Sequence, residues 1–264
     1  MVSWFKRLRR PTAADVAGRA LIFKHLCVKV LASPPAEFIP GYKKKWAPGE
    51  WDTFTTELKN RYEQQVSNLR ASGLWEKMDE RERRLLQASP DEIKQQDRID
   101  ASWMTESAGC LLWALGYSSE LPPYDQEWEI KIMNKIPKEP VEPILANAKL
   151  RRDADIMKQR DLAELWHWRA RTRLIQEAGE MPASLPGGMT IGEVIAMASA
   201  KAAEDGAFPA PIGGDFPAFG KPYRDLSEEE FSRVTSIAME RHRAFNWLCG
   251  YAPGNRWADT PTDT

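Results

Sequence analysis

The run Trp103-Met104-Thr105-Glu106-Ser107-Ala108-Gly109-Cys110-Leu111-Leu112-Trp113-Ala114-Leu115-Gly116 decides the fold. At helical spacing it is apolar or small on nearly every side. A helix of that kind has no face to give to solvent and belongs inside a larger helical body. Glu106 is its only charged residue, and on a helical projection it falls between Cys110 and Trp113. A carboxylate placed there needs a partner or a proton.

Working outward, the remaining segments also read as helices. Thr12-Ala13-Ala14-Asp15 resembles a capping box and opens a helix to about Leu31, with Val16, Ala20, Phe23, Cys27 and Val30 on one face. Leu21, Val28 and Leu31 widen that face, and His25 falls on the polar side. Ser33-Pro34-Pro35 stops the helix, and 36–49 reads as a loop. Trp51 to Leu69 forms a second helix. The mixed charges of 79–84 suggest a solvated face, and Ser89-Pro90-Asp91-Glu92 is a helix start leading to the central helix.

Beyond Gly116, a short helical segment is expected over 128–133 and extended chain over 136–143. A long helix follows from Leu150 to about Ala178, with Ile156, Leu162, Ala163, Trp166, Ala170 and Leu174 inward. Thr190-Ile191-Gly192-Glu193 caps another helix, 206–224 is an irregular crossover, and Ser227-Glu228-Glu229-Glu230 caps the last helix. The expected fold is all-α: a basic N-terminal segment, 1–11, and a single compact domain, 12–264, of roughly six to eight helices. The central helix is buried, and the connections are irregular and rich in Pro and Gly.

Composition restricts the function. Lysines and arginines number 37 against 38 acids, a net charge of -1, which gives no global attraction to nucleic acid. Lys6-Arg7-Leu8-Arg9-Arg10 and Lys43-Lys44-Lys45-Trp46 are the local basic runs. The three cysteines, Cys27, Cys110 and Cys249, lie apart in apolar stretches, the pattern of reduced core thiols in a cytoplasmic protein. No signal peptide or membrane span is expected. The nucleotide-binding glycine motifs, HExxH, GxSxG and paired metal-ligand cysteines are absent from the sequence, so neither metal nor cofactor is expected. Eleven tryptophans supply core area and, at a surface, contact hot spots.

Two groups of polar residues remain. Arg241 projects into the apolar arc of the last helix, His242 sits at its edge, and Asn246 follows one turn on. The tail residues Asp259 and Asp263 can fold back toward them. Glu106 and Arg241 are natural candidates for a buried pair. The group reads either as a network that fixes helix register or as a polar pocket with Glu106 as base or ligand and His242 as its companion. The second group, Arg160, Glu164, His167 and Arg171, forms a stripe along the long middle helix. It reads as a salt-bridged helix edge or as an anion site.

The block Glu240-Arg241-His242-Arg243-Ala244-Phe245-Asn246-Trp247-Leu248-Cys249-Gly250, with Trp257-Ala258-Asp259 and Thr262-Asp263-Thr264, resembles the C-terminal signature of the bacterial domain-of-unknown-function family 4272. Trp103, Glu106 and Leu112-Trp113-Ala114-Leu115-Gly116, followed by Leu121-Pro122, resemble its other block. The resemblance implies that Glu106 and the Arg241–His242 pair belong to one recurring constellation, and it implies no reaction. The expectation is a non-catalytic interaction module of the bacterial cytoplasm with a protein partner, such as a toxin-neutralising protein or a subunit of an assembly. The alternative is an enzyme or small-anion-binding protein using the Glu106, Arg241 and His242 pocket.

Overall fold

In the computed structural model, which describes residues 9–137, 140–182, 184–185 and 187–263, the chain is all-α. The helices are α1 (Ala13–Ala32), α2 (Ile39–Lys45), α3 (Glu50–Ala71), α4 (Glu80–Gln87), α5 (Gln95–Ala114), α6 (Val141–Ala146), α7 (Asp153–Glu177), α8 (Ile191–Glu204) and α9 (Glu228–Leu248). Two antiparallel two-residue strands, β1 (Pro217–Ala218) and β2 (Lys221–Pro222), make a small hairpin within the crossover. Its turn uses Phe219 and Gly220, both at positive φ, as tight hairpin turns require.

Four long helices form a row, with α5 between α1 and α9, and α7 on the outer side of α9. The central helix is α5, longer at its N-terminus than its apolar run. Residues Pro90–Glu92 form a separate 3₁₀ turn, and Asp97 accepts from the Lys94 N–H at 3.1 Å, which starts the helix at Gln95. Leu111 and Leu112 are fully buried. Gly116, at φ +80°, ends the helix through Gly116 N–H to Trp113 O and Tyr117 N–H to Leu112 O, a Schellman closure. Gly109 faces the Trp128 indole so closely that a β-carbon there would lie only 2.3 Å from its ring atoms.

The capping boxes at Thr12, Thr190 and Ser227 form as their sequences direct. Several expectations need correction. The 36–49 loop contains α2, because Pro40 lies in a first helical turn, where its missing N–H costs nothing. The expected extended chain at 136–143 contains the start of α6 for the same reason, with Pro143 in the first turn. His25 is buried, Val28 is exposed and Leu174 points to solvent, so α1 is covered on its expected polar side and the end of α7 lies beyond the core. Glu82 does not face solvent: it is buried against Arg19 at 2.5 Å, because α4 packs on α1.

The N-terminal half of α3 and all of α2 stand off the four-helix row. In α3 only Tyr62 and Leu69 are buried, and α2 packs on the turn before it. Of the expected basic N-terminal segment, Lys6, Arg7 and Leu8 lie outside the described residues, and Arg10 pairs with Asp153. Among the described residues no helix is long and apolar enough to cross a membrane.

Candidate functional site

The seam between α5 and α9 brings Glu106 and Arg241 together. Arg241 Nε donates to Glu106 Oε2 at 2.9 Å, and the two side chains are 1% and 2% exposed. The other guanidinium nitrogens are also occupied. Nη1 donates to the carbonyls of Pro122 at 2.6 Å and Pro123 at 3.3 Å, and Nη2 donates to Gln126 O at 2.8 Å. The Tyr124 ring lies beneath the guanidinium at 4.8 Å, and the second Glu106 oxygen accepts from the Trp128 N–H at 2.5 Å. Burial pushes the Glu106 carboxyl upward, against the opposing pull of Arg241 and the Trp128 N–H. One carboxylate and one guanidinium thus fold the 122–128 loop onto the helices.

His242 belongs to a different group. Consecutive residues on a helix point about 100° apart, so Arg241 faces α5 while its neighbour faces α7. His242 Nδ1 lies 3.0 Å from His167 Nδ1, and its Nε2 lies 2.9 Å from Asn246 Nδ2. Asn246 Oδ1 accepts from Arg160 Nε at 2.9 Å, and its amide nitrogen also donates to Pro261 O at 2.8 Å. These partners set the proton positions. With Asn246 donating to Nε2, His242 carries its proton on Nδ1 and gives it to His167, whose own proton is on Nε2. A further proton on either imidazole would oppose two N–H groups. Burial, reinforced by Arg171 at His167 and by His167 and Arg160 at His242, lowers their pKa values to about 4 and about 3. Both rings are neutral at physiological pH.

The structure therefore divides the first expected group and joins part of it to the second. Arg160 and His167 are buried and meet His242 and Asn246, whereas Arg171 stays on the exposed edge. Arg160 also binds Glu164 at 2.6 Å and covers the Tyr251 ring. Asp263 reaches only the electrostatic field of His167, and Asp259 pairs with Arg256 instead. The structure places Glu106 and Arg241 in one network and His242 in another, and each of the three bonds to side chains or backbone within its own network.

Two further buried polar contacts are not among the sequence expectations. Arg169 grips Asp215 through Nε at 2.8 Å and Nη2 at 2.7 Å, and Asp215 also accepts from the N–H groups of Phe216 and Arg224. Ser107 donates to Glu240 Oε2 at 2.7 Å, and burial raises the Glu240 carboxyl. Ser107 shares α5 with Glu106, which was a readable hint. Asp215 sits in irregular chain, where no period marks an inward side chain.

Residues 5–192 of the sequence match the family described as Domain of unknown function (DUF4272). This chain belongs to the DUF4272 family. The DUF4272 match includes Glu106, Arg160, His167 and Arg171 and stops within the first turn of α8, so Arg241, His242, Asn246, Asp259 and Asp263 lie beyond it. No curated protein and no solved structure matches the chain. Among the described residues of the DUF4272 chain, five of the surface cavities, of 370 to 740 Å³, are each lined by residues other than Glu106, Arg241 and His242. Among the described residues no group of three or more His, Cys, Asp or Glu side chains is placed to hold a metal ion.

Proposed function

We propose that this DUF4272 chain is a non-catalytic protein-interaction module of the bacterial cytoplasm that docks a protein partner through α2 and the N-terminal half of α3. The observation that carries this reading is the aromatic cluster exposed there. Phe38, Tyr42 and Trp46 are 57%, 43% and 38% exposed. Tyr42 stacks on Trp51 at 6.4 Å, and Trp46 meets Phe54 at 5.0 Å, so the rings support one another rather than the core. Contiguous exposed aromatics are a mark of contact surfaces, and Trp and Tyr are the residues that most often dominate their energetics. Lys43, Lys44 and Lys45 rim the cluster and suit an acidic border on the partner. The three buried free cysteines fit a reducing compartment.

The competing reading, a polar pocket of Glu106, Arg241 and His242, loses support because those groups are buried and bonded to one another, to neighbouring side chains and to backbone. The test is native mass spectrometry of the tagged chain purified gently from its own source. A polypeptide bound at fixed stoichiometry is expected, and it should be lost in Phe38→Ser/Tyr42→Ser/Trp46→Ser while circular dichroism and thermal midpoint stay unchanged. Retention of the partner by the triple variant, or a wild-type chain that carries no partner, would overturn the proposal.

A further inference from the structure

An open cavity of 740 Å³ between Lys29 of α1, one face of α3 and the segment 86–92 lies apart from both polar networks. Its apolar wall is Leu58, Tyr62, Val66, Leu86 and Ala88, and Lys29 of α1 lies among them. Lys29 is only 4% exposed. Its ammonium sits 3.9 Å from the centre of the Tyr62 ring, and among the described residues it has neither a hydrogen-bond nor an ion-pair partner. Glu92 acts on it only through its field, because that carboxylate accepts from the N–H and hydroxyl of Ser89 at 2.7 and 2.8 Å. Glu63 lies by Lys59 at 3.8 Å. The Lys29 side chain is largely buried, and a cation–π contact replaces only part of the hydration that its ammonium gives up there. Burial accordingly lowers the Lys29 pKa.

We propose that this cavity is a binding site for a small amphipathic monoanion, with an apolar body along α3 and a carboxylate-like head against the Lys29 ammonium. The volume falls within the usual range of small-molecule sites, roughly 300 to 1,000 Å³, and the lining joins an apolar wall to three cations, Lys29, Lys59 and Arg70, against two carboxylates, Glu63 and Glu92. Lys59 and Arg70, also on the lining, give the mouth a favourable field for an anion. The site does not depend on the aromatic surface of α2.

The test is calorimetric titration of the full chain with decanoate, decanol and decylamine. One decanoate per chain is expected to bind, at least about tenfold more tightly than decanol, with decylamine weaker still. Lys29→Met should weaken decanoate about tenfold and leave decanol unchanged. Should that variant not fold, Thr55→Trp, which fills the cavity from its half-buried α3 wall, should abolish binding of both. No saturable binding of decanoate below about 1 mM, equal affinity for decanol, or undiminished binding in the folded variants would overturn the proposal.

Discussion

Replacing Glu106 or Arg241 singly should be far more costly than replacing both. Glu106→Leu leaves a guanidinium buried at 1% exposure without its counter-ion. Arg241→Met removes the donors to Pro122, Pro123 and Gln126 and leaves Glu106 to take up a proton or remain an unpaired charge. Breaking a buried pair by removing one partner costs about 3 to 5 kcal/mol. For Arg241→Met, each stranded carbonyl that water cannot reach adds about 1 kcal/mol or more. In a chain of this size each kcal/mol lowers the thermal midpoint by roughly 2 to 4 °C, so either single variant should melt about 6 to 20 °C below wild type. The double variant Glu106→Leu/Arg241→Met should recover at least about 2 kcal/mol relative to additivity, because neither charge remains uncompensated. Urea unfolding of the four proteins of this cycle measures the coupling. Additive losses, or a single-variant loss below about 1 kcal/mol, would refute the assignment of this pair as the clamp of the 122–128 loop.

The imidazole pair makes stability depend on pH with a definite sign. His167 and His242 have folded pKa values of about 4 and about 3, below the ordinary value of 6.5, so in mildly acid solution the unfolded chain binds more protons. Stability should be fully retained above pH 6.5 and fall as pH drops toward 3, by about 3 to 5 kcal/mol per imidazole if each titrates alone. His167→Gln/His242→Gln should flatten that part of the profile in urea unfolding, and superimposable wild-type and variant profiles would contradict the neutral buried pair. Asp215→Asn should cost about 3 to 5 kcal/mol and raise amide hydrogen exchange selectively over 207–226, since Asp215 ties the crossover to α7 through Arg169. Unchanged exchange there would show that the crossover is held by other contacts.

The sequence by itself determined the long helices and one of the contacts between them, though not the short α2 and α6. Capping boxes, the Gly116 closure and helical periodicity are local, encoded within a turn or two, and they reappear at Thr12, Thr190 and Ser227 with the expected geometry. Glu106 and Arg241 were legible as a pair because Glu106 is the one charge in the apolar run 103–116 and Arg241 projects into the apolar arc of α9, and two such charges lower their cost only by meeting. Only the tertiary structure decided the rest. His167 and His242 are 75 residues apart, and which α7 face turns toward α9 depends on the packing of whole helices rather than on either helix's pattern. The carbonyls of Pro122, Pro123 and Gln126 complete the Arg241 site, yet backbone acceptors are common to every residue and leave no mark in a sequence. Lys29 lies in α1 among residues whose pattern says core, and only the position of α3 gives its ammonium an aromatic ring and an open cavity. Local order is written in short-range steric and hydrogen-bond preferences, whereas a site is a non-local coincidence of faces, fixed only when the helices have chosen their neighbours.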